Sequence, residues 1–234
     1  MIRWDDPPGP YEVVFSTREG GVSEGPFESL NLGRATADEP TRVDENRRRL
    51  CARVGAEPEA LTMNYQHHST DVLKAQPGSR GERGDGLWTD ERGLPLLALA
   101  ADCLPIALAR ANGRRPALTV LHAGWRGLLG GIAEQGVGAL GGGPVSAILG
   151  PGIGPCCYEV GEEVAAPFRR AYGPGLVRDG RLDLWSAAER ALRTAGCVRV
   201  DRVDLCTACT PERFFSHRRD NGITGRQGVI GLVA

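Results

Sequence analysis

The chain has 234 residues, 41% hydrophobic and 24% charged, with 28 basic and 29 acidic residues and a formal net charge of -1. That length can bury a substantial core in one large or two small domains, and the even charge excludes an electrostatic mandate to bind nucleic acid or an anionic membrane. No apolar run reaches the roughly 20 residues of a membrane span. The opening MIRWDDPPGPYEVVF carries acids and prolines where a signal peptide is basic and then apolar, so a cytoplasmic location is expected. Seven cysteines, an odd number in a chain with a sizeable core, argue against a disulfide framework and leave metal binding or reactive thiols.

Glycine and proline punctuate the chain without forming a repeat or a low-complexity tract, and residues 141–143 and 150–154 read as turns. Residues 11–17 alternate as a strand. Residues 40–54 (PTRVDENRRRLCARV) space Val43, Leu50, Cys51 and Val54 on a helix face, with Thr41 as its N-cap. Residues 94–110 and 116–125 read as strands, 128–140 as a helix and 145–149 as a further strand. Helices over 160–172 and 184–195 and closing strands over 200–206 and 228–233 complete the pattern. Strands and helices interleave and hairpins are present, which predicts an α+β or mixed α/β fold: a mixed β-sheet sandwich with flanking helices, in a single domain of residues 1–234.

The most informative arithmetic lies in DCLPIALARANGRRPALTVLHAGWRG. Asn112-Gly113 is a strong signal for a two-residue type I′ hairpin turn. Such a turn pairs residues whose numbers sum to 225, as Cys103 and His122 do. Directly opposed residues have Cβ atoms about 4.5–5.5 Å apart, close enough for a thiolate and an imidazole to share one metal ion. Pro105 would then mark a bulge or an edge strand. A third donor comes from Gln66-His67-His68-Ser69, where strand periodicity leaves His67 and His68 as alternatives. Three protein ligands with a fourth position open is the catalytic zinc arrangement. His122 begins HAGWRGL at a strand-to-helix junction, where Arg126 and the helix N-terminus would attract phosphate.

Cys206-Thr-Ala-Cys209 is a CxxC, which on its own suggests half a zinc knuckle or a redox pair, but no second CxxC exists to complete a four-cysteine site; Cys156-Cys157 sits in a Gly/Pro loop before a helix. Packing and a reactive thiol at a helix N-terminus are both open readings for the latter. Arg218, Arg219 and Arg226 cluster in FFSHRRD…TGRQG, a candidate anion clamp. Cys51 and Cys197 read as core.

With these residues in place, the chain resembles the YfiH-type family, also called the laccase-domain or multicopper polyphenol oxidase family. The likeness runs in order through FSTREGGVSEGPFESLNLG, VDENRRRL, QHHS, GDGLWT, ADCLPIAL, HAGWRGL, ILGPGIGPCCYEVGEEV and CT…FFSHRRD…TGRQG, nearly the whole chain. It implies an α/β sandwich of the kind once classed with cysteine hydrolases. It also implies a zinc-dependent purine nucleoside phosphorylase acting on adenosine, inosine and S-methyl-5′-thioadenosine, with hydrolytic deamination of adenosine. The family pattern Gln-Val-His-Gly falls on residues 66–69, which makes His68 the ligand and puts His67 in the valine position; the other two ligands fall on Cys103 and His122. The expected cofactor is Zn2+, with Cu2+ the stronger competitor for nitrogen and sulfur donors.

A zinc-activated water suits attack at purine C6, and phosphorolysis calls for cationic groups around phosphate. Arg126, Arg219 and Arg226 are the candidates for phosphate, Asn31 and Asp85 for polar substrate contacts. Asp102 would carry a proton or support Cys103, although strand alternation turns it to the opposite face. The expected partners are purine nucleosides and phosphate, not nucleic acid or membrane. Three rivals remain. A copper laccase needs many more histidines than the four present. An amide hydrolase would use Cys103 as nucleophile and His122 as base, and has no need of His68. A zinc module for a partner protein would need a closed site.

Overall fold

Segments such as YEVVF, LLALA, LPIALAR and QGVIGLV are apolar on both faces, the pattern of sheets covered on both sides. The structure, a computed structural model, describes residues 1–111 and 115–234. In the first half of the chain the strands are β1 (Ile2–Arg3), β2 (Tyr11–Phe15), β3 (Met63–Tyr65), β4 (Val72–Lys74), β5 (Arg80–Arg83), β6 (Gly86–Thr89), β7 (Leu96–Ala100) and β8 (Leu104–Arg110). The second half contributes β9 (Leu118–Ala123), β10 (Val145–Leu149), β11 (Val177–Arg178), β12 (Arg181–Leu182), β13 (Cys197–Arg202) and β14 (Gln227–Val233). The helices are α1 (Pro40–Arg53), α2 (Trp125–Gly130), α3 (Ile132–Ala139), α4 (Glu162–Tyr172) and α5 (Leu184–Thr194).

Two sheets carry the architecture, one ordered β1-β2-β14-β7 and one ordered β13-β10-β8-β9-β6-β4. The second is mixed: β10 runs parallel to β13 and β4 to β6, and the other pairs are antiparallel. Strand alternation sorts the side chains into three cores. Val13, Phe15, Leu96, Ala98 and Val229 face Ala107, Leu118 and Val120 between the sheets. Their chain neighbours Val14, Leu97 and Ile230 point outward onto Leu50 and Cys51 of α1. The far face of the six-stranded sheet, with Ile106, Leu108 and Leu121, is covered by α2 to α5. The result is a four-layer helix–sheet–sheet–helix sandwich, the mixed α/β class expected.

Local differences from the sequence reading have identifiable causes. Thr41 is not the N-cap: Pro40 opens α1 and Glu39 precedes it without a side-chain cap bond. The strand expected over residues 94–110 is two strands in different sheets, because the chain turns at residues 101–103, where Asp102 has φ +86°. The helix expected over residues 128–140 is split at Gly131, which takes the left-handed φ of +97°. The last closing strand matches within a residue, and β13 begins earlier than expected and ends at Arg202.

The hairpin is the consequential correction. The Asn112-Gly113 turn lies outside the described residues, and the observed ladder pairs Pro105 with His122, Leu104 with Ala123 and Ala109 with Leu118. These pairs sum to 227, so Cys103 is not opposite His122 but lies just before β8. A shift of two residues leaves every side chain on its original face, so the two side chains still converge. Pro105 is the second residue of an interior strand and forms no edge.

Candidate metal centre and its cavity

Two left-handed residues, each held by a carboxylate, bring the donors together. His68 has φ +65°. Asp85, fully buried at the start of β6, spans the turn that contains it by accepting from the backbone N–H groups of His67 (3.1 Å), His68 (3.0 Å) and Ser69 (2.7 Å), and from the Ser69 hydroxyl (2.8 Å). The same carboxylate takes the His122 Nδ1–H at 2.7 Å. One aspartate therefore orients one imidazole directly and the other through its backbone. On the opposite side, Asp102 accepts the Thr207 hydroxyl (2.6 Å) and the Arg218 N–H (2.7 Å). That clamp fixes the turn that presents Cys103.

The donor atoms of His68, Cys103 and His122 all lie within 4.8 Å of one another. Cys103 Sγ is 3.9 Å from His68 Nε2, and the two imidazoles meet edge-on with ring centroids 5.0 Å apart. His67 is directed elsewhere, with its Nδ1 3.6 Å from Asp85. Two imidazoles and a thiol suit a borderline-soft divalent ion, and the carboxylate behind His122 is the support such ligands require. Electrostatics reinforces the fit. Burial opposes ionisation of Cys103, but His122 and then His68 outweigh it and bring the thiol down to about 6. Burial likewise opposes protonation of His122, and Cys103 and Asp85 outweigh it, raising the imidazole to about 9. Asp85 sits well below the ordinary carboxylate range, because its hydrogen bonds from His122, Ser69 and His67 overcome the burial that works against ionisation.

Gly124, in HAGWRG, is small for a steric reason. A Cβ there would lie 2.9 Å from Cys103 Sγ and 3.0 Å from His68 Cδ2. Gly124→Ala is therefore expected to cost about 1–3 kcal/mol, as overpacking does, and to lower metal occupancy at this centre. Thermal denaturation with metal analysis checks this; full occupancy with unchanged stability would contradict it.

The centre opens into a cavity of about 660 Å³. Five arginines line it (Arg34, Arg47, Arg80, Arg218 and Arg226), against one acid, Asp102. Arg34 is paired with Asp44. Arg47, Arg80, Arg218 and Arg226 have no carboxylate partner among the described residues and bond instead to carbonyls, Arg47 to Leu32 and Arg226 to Thr224 and Gly225. Burial and then the nearby Arg80 pull the Arg47 guanidinium down to about 10. Tyr158, below Arg218, is pushed up to about 12 by burial and the Cys103 charge, and stays a neutral donor.

Of the residues expected at the site, Cys103, His122, His68, Asp102 and Arg226 line this cavity. Asn31, Asp85, Arg126 and Arg219 do not. Asn31 is buried, holding Asp38, Thr36, Gly33 and the Arg226 N–H. Asp85 supports the histidines. Arg219 is engaged by Asp220, Thr207 and Phe214. Arg126, in the first turn of α2, is exposed over the Trp125 ring and lies outside the cavity lining. Sequence reading missed Arg47, Arg80 and Tyr158. Arg47 is recognisable after the fact as a charged residue on the apolar face of α1, at helical spacing from Val43 and Leu50.

Fold and donor set define a four-layer α/β protein with a three-donor metal-type centre open to a cationic cavity. The chain belongs to the family described as multi-copper polyphenol oxidoreductase laccase, whose model matches residues 12–233. A Pseudomonas aeruginosa protein named purine nucleoside phosphorylase is 40% identical, covering 97% of this chain and 96% of its own length. One of the same name from Deinococcus radiodurans is 42% identical over 94% of this chain and 88% of its own. Among solved structures, YlmD from Geobacillus stearothermophilus has a TM-score of 0.91 and 35% identity, covering 99% of this chain and 96% of that one. Bacillus licheniformis YfiH has a TM-score of 0.90 and 30% identity, covering 99% of both.

Proposed function

We propose that this chain, acting as a single domain in the cytoplasm, is a zinc-dependent purine nucleoside phosphorylase with adenosine, inosine and S-methyl-5′-thioadenosine as substrates and an accompanying adenosine deaminase activity. The observation that carries the reading is the junction of a His68–Cys103–His122 donor set with a cavity holding four guanidinium groups that have no carboxylate partner among the described residues. The names of the relatives support the purine nucleoside phosphorylase part of this reading. Phosphate is the natural counter-ion for Arg47, Arg80 and Arg226, since guanidinium forks match its oxygens. A phosphate oxygen held there attacks the anomeric carbon, and the glycosidic bond breaks with its electron pair leaving on the purine nitrogen, which takes up a proton. The arginines hold the nucleophile in place and neutralise its charge. Tyr65 and Tyr158 line the cavity and are the aromatic candidates for contact with the base. Asp102 keeps Cys103 and the Arg218 backbone in place. Zn2+ held by His68, Cys103 and His122 would supply a Lewis acid at the cavity wall, suited to stabilising charge that develops during phosphorolysis and to activating water for deamination.

Adenosine incubated with and without phosphate tests this directly. Adenine and ribose 1-phosphate formed only with phosphate establish phosphorolysis, and inosine formed without it establishes deamination. Products no greater than those of a His68→Ala control would sink the reading. Replacing Arg47 or Arg226 by methionine is expected to raise KM for phosphate about 10- to 100-fold, the value of a charged hydrogen bond, with a smaller effect on KM for adenosine. Equal phosphate KM values would remove both residues from the phosphate site.

One observation favours a second reading. Cys103, His122 and Asp85 form a thiolate–imidazole–carboxylate series of the kind that activates a cysteine nucleophile. An amide hydrolase built on it tolerates His68→Ala, whereas the metal enzyme does not.

A further inference from the structure

The CxxC and the adjacent cysteine pair, far apart in sequence, meet in space. Because β10 and β13 are parallel neighbours, the loops that leave their ends run side by side. One carries Cys156 and Cys157, the other Cys206 and Cys209. Gly152 bridges Cys206, and the Thr207 N–H donates to the Gly152 carbonyl at 3.1 Å. Cys157 Sγ lies 3.1 Å and Cys156 Sγ 3.3 Å from Cys209 Sγ, and all four sulfurs fall within 4.8 Å of one another. The Gly154 N–H points at Cys206 Sγ from 3.2 Å, a contact suited to a thiolate.

We propose that Cys156, Cys157, Cys206 and Cys209 bind a second Zn2+ ion as a closed, structural tetrathiolate site. Zinc–sulfur bonds of about 2.3 Å in a tetrahedron set sulfur–sulfur distances of roughly 3.8 Å, so four sulfurs this close enclose one ion and leave no room for a multinuclear cluster. Soft thiolates select such an ion. A disulfide would use two of the four and leave no reason for the other two to converge. On binding, four S–H bonds give way to four Zn–S bonds and the thiol protons pass to solvent. No coordination position is left for substrate, which separates this site from the His68 centre.

The site's position gives it a role. The first loop supplies Ile153 and Tyr158 to the cavity wall and the second supplies His217 and Arg218. Thr207, next to Cys206, holds Asp102 and through it the turn that presents Cys103. The second ion thus staples two loops that shape the cavity, and this holds whatever reaction the cavity performs.

Metal analysis of the intact protein tests the proposal. Wild type is expected to hold two zinc ions per chain, the Cys156→Ser/Cys209→Ser double variant one, and His68→Ala/His122→Ala one, with the cysteine variant melting at lower temperature. If the cysteine variant fails to fold, Cys103→Ser loaded with Co2+ gives the answer: an intense sulfur-to-cobalt charge-transfer band is expected from the four remaining thiolates. A wild-type content of one zinc that disappears with His68 and His122 would overturn the proposal. So would absence of the cobalt band in Cys103→Ser, or an intact mass showing a disulfide among these four cysteines in the purified protein.

Discussion

Cys103→Ser is expected to lose one equivalent of metal per chain and to lower kcat/KM for nucleoside phosphorolysis about a thousand-fold or more. A Lewis acid held at this centre would supply several kcal/mol of transition-state stabilisation, and each 1.36 kcal/mol is a factor of ten. Serine is nearly isosteric with cysteine, so the turn at Asp102, held by Thr207 and Arg218, should persist and the fold with it. The change removes a soft donor that His122 and His68 bring to about 6 and leaves a hydroxyl that stays protonated near neutrality. Metal analysis and steady-state kinetics on the same preparation check the expectation. Retention of the full metal content would exclude Cys103 as a ligand, and loss of activity with metal retained would favour the cysteine-nucleophile reading.

Asp85→Asn is the second large effect, although Asp85 lies outside both the cavity lining and the donor set. Its two oxygens receive five donors: three successive backbone N–H groups, the Ser69 hydroxyl and His122 Nδ1. An amide keeps one acceptor oxygen and turns an NH2 group toward donors that have nowhere else to go, in a position only 1% exposed. Breaking a buried charged network of this kind costs about 3–5 kcal/mol, a fall in Tm of roughly 6–20 °C for a chain of this size. Metal affinity should fall about 10- to 100-fold, the usual effect of removing the partner of a ligating histidine. Asp90→Asn, at a partly exposed ion pair with Lys74, is the control and should shift stability by less than about 1 kcal/mol. Equal stability losses at the two positions, or unchanged zinc affinity at Asp85, would contradict this account.

Much of the layering was readable in advance because it depends on local periodicity. The strand over residues 145–149 and the helix beginning at Leu184 follow from alternation and from the 3.6-residue repeat, and both occur as expected. The interleaving of these strands and helices pointed to a mixed sheet with flanking helices. The pairing of Cys103 with His122 was also reached, through a register that the ladder corrects by two residues. The conclusion survived because parity, not register, decides which face a side chain occupies.

The sequence by itself determined the mixed α/β class, the cysteine–histidine pair and, through the family likeness, the choice of His68 over His67. Tertiary structure alone decided the rest. Asp85 looked like a substrate contact because a carboxylate in a Gly-rich strand end advertises nothing about which N–H groups will surround it. Arg47 lies on a helix and Arg80 on a short strand that the sequence did not signal, and only the fold brings them to one cavity. The four cysteines separate into a pair near residue 156 and a CxxC fifty residues later, with no spacing rule to join them. They meet because two parallel strands end side by side, a contact between segments distant in the chain that local physics cannot encode.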